Sequence, residues 1–187
     1  GRSAKLIMVA TRNPAQAEAN RLLGSPATHI LLRGGSRSGK TFLLVRAIVI
    51  RAVKAPGSRH GIFRHRFNAL KATVINDTFK KVMRLCFPDL PYTLNQTDWY
   101  VRFPNGSEIL FHGLASSHRT VKILGLEFAT VYINDASQIS YAARYMLLTR
   151  LAQITCLASK EHIDANPPTT SHWLSGGFER KVGPKFG

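Results

Sequence analysis

The chain has 187 residues and a mass of 20.7 kDa, which is enough for one domain that buries a core of its own. Hydrophobic residues make up 44% of it, yet no run approaches the roughly eighteen apolar residues of a membrane span. Lys and Arg number 26 against 10 Asp and Glu, so the net charge is +16 and the expected partner is a polyanion. No basic amphipathic helix stands out, which favours nucleic acid over a membrane surface. The alternative is a solvated basic surface.

The first residues and the two cysteines indicate where the protein is located and the state of its thiols. The apolar run at residues 5–10 is too short for a signal peptide, which predicts a cytoplasmic protein. Cys86 and Cys156 lack the spacing of metal ligands and lie beside apolar residues. Both are therefore predicted to be buried free thiols.

Short β-rich runs alternate with helical stretches along the chain, a pattern typical of an α/β protein with a mostly parallel sheet. Four hydrophobic runs are predicted to be strands: His29–Leu32, Gly61–Arg64, Thr130–Ile133 and His162–Ala165. Three stretches are predicted to be helices: Lys40–Val53, Ala69–Phe87 and Arg144–Leu151. In the second helix, the residues expected to face the core are Leu70, Val74, Val82 and Leu85.

Two further segments have a clear local signal. Trp99–Phe103 and Glu108–Phe111 flank Pro104-Asn105-Gly106-Ser107, which predicts a β-hairpin with Asn-Gly in its turn. The residues from about 175 to 187 are rich in glycine and are predicted to be poorly ordered.

The strongest motif is a phosphate-binding loop of the Walker A type. Its residues match G-x-x-x-x-G-K-[ST] in full: Gly34, Gly35, Ser36, Arg37, Ser38, Gly39, Lys40 and Thr41. A buried strand precedes it and a helix follows, so backbone N–H groups and the helix N-terminus would hold phosphate. Lys40 would bridge the β- and γ-phosphates of ATP, and the Thr41 hydroxyl would bind Mg²⁺. The alternative is a chance Gly/Ser-rich turn. Arg37 is either an arginine that steadies the γ-phosphate or a solvated side chain.

Asn134 and Asp135, which follow the hydrophobic run Val131-Tyr132-Ile133, form a second candidate site. Asn134 would take the metal-side position at this strand end, and Asp135 would orient the water that attacks the γ-phosphate. The alternative is that both residues merely cap the strand. The other acids are poorer candidates because they lie within a helix, in loops or after a turn: Asp77, Asp89, Asp98 and Glu108.

With both motifs placed, the chain resembles the ATPase domain of the large terminase subunits of tailed bacteriophages. Residues 122–139, which run through Asn134 and Asp135, resemble the acidic segment of that family. The resemblance implies that Gln16 contacts adenine, that Asn166 begins the segment that senses the γ-phosphate, and that Arg119 is the arginine finger given to a neighbouring subunit. Family members usually carry Asp-Glu or Asn-Glu where this chain has Asn134-Asp135. The shorter Asp135 side chain predicts slower catalysis.

The resemblance implies a three-layer α/β P-loop NTPase fold of the ASCE type, with one terminase-like domain over residues 1–187. It implies ATP hydrolysis with Mg²⁺, coupled to translocation of double-stranded DNA into a procapsid in the host cytoplasm. The implied partners are a homo-oligomeric ring, a portal protein and a small terminase subunit, with no membrane. The family's nuclease domain is not in this sequence, so no DNA cleavage is expected. The alternatives are a helicase-like ATPase and a remnant that only binds nucleotide or DNA.

Overall fold

The computed structural model describes residues 14–34, 39–166 and 173–176. Its α-helices are α1 (Pro14–Leu23), α2 (Lys40–Lys54), α3 (Phe67–Cys86), α4 (Ser117–Ile123), α5 (Tyr141–Thr149) and α6 (Trp173–Gly176). Its strands are β1 (His29–Arg33), β2 (Arg59–Arg64), β3 (Thr93–Asn95), β4 (Tyr100–Arg102), β5 (Glu108–Gly113), β6 (Thr130–Ile133) and β7 (Lys160–Ala165). A short 3₁₀ turn, Ala136–Gln138, follows β6. The predicted strands and helices are confirmed, with ends that differ by a few residues.

The strands form one seven-stranded sheet in the order β1-β7-β6-β2-β5-β4-β3. Strands β1, β7, β6, β2 and β5 pair in parallel. Strands β3 and β4 extend the sheet in antiparallel pairing, and the antiparallel pair of β4 and β5 confirms the predicted hairpin. Gly106 in its turn has φ +82°, a left-handed conformation that glycine adopts at little cost. β7 lies between β1, which precedes the phosphate loop, and β6, which precedes Asn134. The carboxyl ends of β1, β7, β6 and β2 therefore lie side by side.

Helices cover both faces of the sheet, which gives the predicted three layers. Alternate strand residues point to opposite faces. Ile30, Leu32, Ile62 and Tyr132 pack in one core with helices α1, α2 and α3. Their strand neighbours pack in a second core with α4, α5 and α6. Both faces are buried, so consecutive residues of the parallel strands are buried, as in all four residues of β6 and all six of β7.

Helix α3 contains a π-helical segment, Lys71–Thr78, between two α-helical parts. A π turn contains more residues than an α turn, so it rotates the buried face of everything that follows. Leu70, Val74 and Val82 are buried as predicted, but the prediction for Leu85 is wrong. Leu85 is 45% exposed, and Met83 and Cys86 face the core instead.

Of the two cysteines predicted to be buried, one is buried and the other is exposed. Cys86 is a buried free cysteine at the end of α3, as predicted. Cys156 is exposed, because it lies in the irregular segment between α5 and β7 rather than in a packed element. The sequence predicted that residues from about 175 to 187 are poorly ordered. Residues 177–187 lie outside the described residues.

His162 lies within β7, and its surroundings lead us to expect that the free energy of unfolding depends on pH. Within the described part of the chain, neither of its ring nitrogens has a hydrogen-bond partner. Burial, with the nearby positive charge of Arg51 and Lys160, lowers its pKa to about 3. The unfolded chain takes up a proton near pH 6.5 and the folded chain does not. His162 alone should therefore lower the free energy of unfolding by about 1.4 kcal/mol per pH unit as the pH falls from 6.5 towards 3.

Urea unfolding at several pH values between 6.5 and 4.5 measures this slope. The variant His162→Phe should reduce the slope of the free energy of unfolding against pH by close to the amount that corresponds to one proton. Part of the slope should remain, because burial also lowers the pKa values of His60 and His112. His118 is exposed, so His118→Phe should leave the slope unchanged. An unchanged slope in His162→Phe would contradict the assignment.

Candidate nucleotide-binding site

A cleft of about 470 Å³ opens where the carboxyl ends of the parallel strands meet the start of α2. One wall is formed by the start of α2 and by the residues that end or follow β2, β6 and β7: Gly39, Lys40, Thr41, Phe42, Arg64, Asn134, Asp135, Asp164 and Asn166. The other lining residues belong to the π-helical segment of α3 and to the helical turn after it: Thr73, Asp77, Thr78 and Lys81. Ligands of open parallel sheets bind in this position because the strand ends and helix N-termini converge there.

Lys40 is the first residue of α2 and is 4% exposed. Its Nζ donates hydrogen bonds to the Gly34 carbonyl at 2.8 Å and to Asn166 Oδ1 at 2.9 Å. Burial lowers the pKa of Lys40, and the negative charges of Asp164 and Asp135 oppose that shift. The structure thus joins Lys40 to Asn166, 126 residues away in the chain. Of the remaining loop residues, Gly35, Ser36, Arg37 and Ser38 lie outside the described residues.

Gly39 adopts φ +84°, in the left-handed region where a side chain is strained. A Cβ atom added to it would lie 2.2 Å from Nε2 of Gln16. The amide of Gln16 on α1 therefore packs directly against the end of the phosphate loop. The structure brings Gln16 to the candidate site, and a contact with adenine stays a prediction.

Asn134 and Asp135 follow β6 and are held by Arg64 at the end of β2. Arg64 donates to Asn134 Oδ1 at 2.9 Å and pairs with Asp135 Oδ2 at 3.1 Å. Asp135 has φ +50°, a conformation that few residues other than glycine adopt. Such strained residues cluster at functional sites, where the surrounding structure holds them. Sequence patterns did not indicate Arg64, because its role depends on β2 lying beside β6.

Asp164 on β7 is a second site residue that sequence patterns did not indicate. Its Oδ1 accepts from the backbone N–H of Asp135 at 2.7 Å. Its Oδ2 accepts from the amide of Asn134 at 3.0 Å and from the hydroxyl of Tyr132. Burial raises the pKa of Asp164, and these three donors and the charge of Lys40 oppose the shift. The available signal was an acid two residues before Asn166, in a run predicted to be a strand.

Two other predictions concern residues away from the strand ends. Asp77 lies within a helix, as predicted, yet it lines the cleft. Arg119 lies outside the cleft: its guanidinium sits 4.3 Å from the centre of the Phe67 ring and borders a second cavity of about 380 Å³. Its assignment as an arginine finger stays a prediction.

The cleft has the oxygen atoms that a nucleotide-bound Mg²⁺ requires. No group of three His, Cys, Asp or Glu side chains that could hold a metal by itself occurs among the described residues. Mg²⁺ in phosphate-transfer sites needs fewer protein ligands, because phosphates and water complete its shell. The Thr41 hydroxyl and the carboxylates of Asp135 and Asp164 all line the cleft. They are hard oxygen donors, and they fit this metal.

Comparison with known proteins connects this geometry to a family. The family model described as phage terminase large subunit matches residues 27–182. The chain belongs to the phage terminase large subunit family. None of the curated proteins matches it.

The solved structures of this family share the fold. The large terminase from a thermophilic bacteriophage superposes with a TM-score of 0.75 at 16% identity, over 88% of this chain and 41% of that one. The large terminase ATPase domain of Thermus phage P74-26 gives 0.59 at 17% identity, over 83% and 66%. The large terminase of bacteriophage HK97 gives 0.59 at 12% identity, over 82% and 33%. The chain therefore spans about two fifths of the first of these three proteins. These matches confirm the P-loop NTPase fold.

Among the helices that the structure describes, none has both the length and the apolar character to cross a lipid bilayer.

Proposed function

We propose that this chain binds Mg²⁺·ATP in the cleft, hydrolyses it, and uses the energy to move double-stranded DNA into a procapsid. The observation that carries the proposal is the placement of a buried phosphate-loop lysine, Lys40, in the same cleft as Asp135 and Asp164. A cation for phosphate and carboxylates for metal and water are the parts that phosphoryl transfer needs. Family membership supports the proposal, as does the structure of the thermophilic phage's large terminase in complex with ATP-gamma-S.

Each side chain has a proposed role on the nucleotide. The N–H groups of the loop from Gly34 to Gly39 would bind the β-phosphate, and Lys40 would contact the β- and γ-phosphates. In this structure Lys40 donates to the Gly34 carbonyl and to Asn166, so phosphate oxygens would replace these two acceptors. Asn166 then loses its contact with Lys40 when nucleotide enters. This is a physical reason to expect that Asn166 would respond to the γ-phosphate.

The metal side of the nucleotide is proposed to face Thr41 and Asn134, which line the same wall of the cleft. Mg²⁺, when bound there, would neutralise charge on the β- and γ-phosphates. Gln16, which packs against Gly39, is proposed to contact the base. Arg37 would steady the γ-phosphate.

Asp135 is proposed to hold the attacking water. In this structure its carboxylate is paired with Arg64 and accepts from the Ser137 hydroxyl at 3.1 Å. To accept from a water in line with the γ-phosphate, the carboxylate has to turn from Arg64 or share an oxygen with it. The strained backbone of Asp135 and the contact with Arg64 therefore set how readily the residue reaches that water.

The proposed partner is duplex DNA, bound without regard to sequence. The net charge of +16 supports it, since a motor that runs along any genome gains affinity from phosphates rather than from bases. As a member of the terminase family the chain would act as a homo-oligomeric ring on a portal protein, with a small terminase subunit, in the host cytoplasm. Arg119 is then the residue proposed to complete the neighbouring subunit's site.

Duplex DNA should stimulate ATP hydrolysis by the chain, and DNA binding should weaken steeply with salt. Each phosphate neutralised contributes a slope of about −0.9 to log K against log[salt]. Phosphate release with and without blunt duplex DNA, together with binding of two unrelated duplexes over a salt series, tests both parts. The two duplexes should bind equally.

Other results would select an alternative. Separation of duplex strands during hydrolysis would favour a helicase-like ATPase. Nucleotide and DNA binding without any turnover would favour a remnant of the family, which the neutral Asn134 and the pairing of Asp135 with Arg64 support. A flat salt dependence or preference for one duplex would contradict the proposed mode of DNA binding.

A further inference from the structure

Asn134 creates a gap in the proposed metal site. A neutral amide stands where an acidic side chain would place negative charge beside Mg²⁺. Mg²⁺ in phosphate-transfer sites is held through one or two carboxylates together with phosphates and water. An amide oxygen supplies a lone pair but no charge. In addition, the Oδ1 of Asn134 already accepts a hydrogen bond from Arg64 at 2.9 Å.

A carboxylate lies directly beside this position, one strand away. Ile133 of β6 pairs with Ile163 of β7, so the next residues, Asn134 and Asp164, are also neighbours. The Asn134 amide donates to Asp164 Oδ2 at 3.0 Å. Both residues line the cleft together with Thr41 and Lys40. The negative charge missing from β6 is thus present on β7.

The surroundings of Asp164 leave its charge poorly balanced within the protein. Asp164 is 3% exposed, and burying a carboxylate is costly unless a cation pairs with it. Its bonds come from neutral donors: the Tyr132 hydroxyl, the Asn134 amide and the Asp135 N–H. No Lys, Arg or His nitrogen in the described ranges forms an ion pair with it. A divalent cation in the cleft would provide that balance.

Tyr132 is a neighbour of both Asp164 and Thr41. Its hydroxyl donates to Asp164, and burial raises its pKa while the side chain of Thr41, the other proposed metal ligand, opposes that shift. Thr41 and Asp164 therefore both lie near one fully buried tyrosine. Thr41 at the start of α2 and Asp164 on β7 also line the same cleft.

From this geometry we infer that Asp164 supplies the metal-side carboxylate of the site, in the place of Asn134. The inference rests on the proposed binding of Mg²⁺·nucleotide. The negative charge beside the metal then comes from β7, and Asn134 orients Asp164 through the hydrogen bond that its amide donates.

The test is the affinity of the ADP-saturated chain for Mn²⁺, a stand-in for Mg²⁺ whose free concentration is read by electron paramagnetic resonance. Asp164→Asn keeps the size of the side chain and removes its charge, so Mn²⁺ affinity should fall by about 10- to 100-fold. The double variant Asn134→Asp/Asp164→Asn returns the charge to β6 and should recover most of the loss. Asp77→Asn is the matched control, since it removes one charge from the helix that lines the cleft rather than from a strand end. It should leave Mn²⁺ affinity unchanged.

The outcomes separate this inference from the proposed function. If the wild-type chain does not bind ADP even with Mg²⁺ present, nucleotide binding itself is wrong. If ADP binds but Asp164→Asn keeps its Mn²⁺ affinity, the inference is wrong and Asp164 only holds its neighbours. An equal loss in Asp77→Asn would also overturn it, because any cleft charge would then suffice.

Asn134→Asp alone decides the matter if Asp164→Asn fails to fold, which circular dichroism would show. Two carboxylates at the distance that now joins Asn134 to Asp164 repel each other, and one would take up a proton. The inference therefore expects no gain in Mn²⁺ affinity from this variant. A gain of about tenfold or more would mean that the metal-side charge had been missing, and would overturn the inference.

Discussion

Lys40→Ala is expected to weaken ADP binding by about 100-fold, which corresponds to about 3 kcal/mol, because it removes the buried cation that contacts the phosphates. Isothermal titration calorimetry with ADP and Mg²⁺ measures the change. In this structure Lys40 donates to a carbonyl and to an amide oxygen, both of them neutral. A charged phosphate oxygen is a stronger acceptor than either, so nucleotide gains from the exchange.

Lys81→Ala provides the matched control for this variant. Lys81 lines the same cleft but is exposed and lies on the α3 wall, so its removal should change the affinity little. Thermal unfolding of both variants shows whether the fold is intact. Equal affinity in wild type and Lys40→Ala would remove the basis of the proposed function.

Asp135→Asn is expected to lower ATP turnover by about 100-fold or more while nucleotide binding is nearly unchanged, because an amide is a poor acceptor for a proton of the attacking water. The backbone N–H of residue 135, which bonds to Asp164, stays in place in this variant. Phosphate release must be measured on assembled subunits with DNA, since a missing neighbour could hide the effect of any change at Asp135. Asp77→Asn is again the control for loss of charge in the cleft.

Asp135→Glu tests the same residue in the opposite direction. Asp is shorter than Glu by one methylene, and a misplacement near 1 Å costs on the order of 100-fold in rate. The longer side chain should raise turnover by about tenfold, or about 1.4 kcal/mol of barrier. Full activity in Asp135→Asn would show that another residue holds the water. If only Asp135→Glu fails to help, the pairing with Arg64 limits the carboxylate more than its length does.

Part of the candidate site could be predicted because it is written in consecutive residues. The phosphate loop has a fixed spacing between a strand and a helix, and Asn134-Asp135 follows a hydrophobic run directly. Asp164 and Arg64 have no such signal. Their importance comes from strand pairing, which places Asp164 beside Asn134 and Arg64 beside Asp135 although 30 and 71 residues separate them. Local periodicity does not contain the order of strands in a sheet.

The fold shows the same division. The alternation of hydrophobic runs and helical stretches predicted the α/β class, since it reflects burial on both faces of each strand. In α3, burial was predicted correctly for Leu70, Val74 and Val82 but not for Leu85, which follows the π-helical segment. The extra residue in the π turn rotates the helix after it, so Leu85 faces the surface, and Asp77 and Lys81 line the cleft. Packing against neighbouring elements selects such a segment, and helical periodicity assumes that it is absent.

By itself, the sequence determined that this protein has a mostly parallel α/β sheet, a Walker A sequence motif after its first strand, and a surplus of positive charge. These properties depend on the order of neighbouring residues and on composition. Only the tertiary structure decided which acids share the cleft with Lys40, because β7 enters the sheet between β1 and β6 and carries Asp164 to the centre of the site. Side chains distant in the chain become neighbours through backbone hydrogen bonds between strands, and those bonds form alike for almost any residue type.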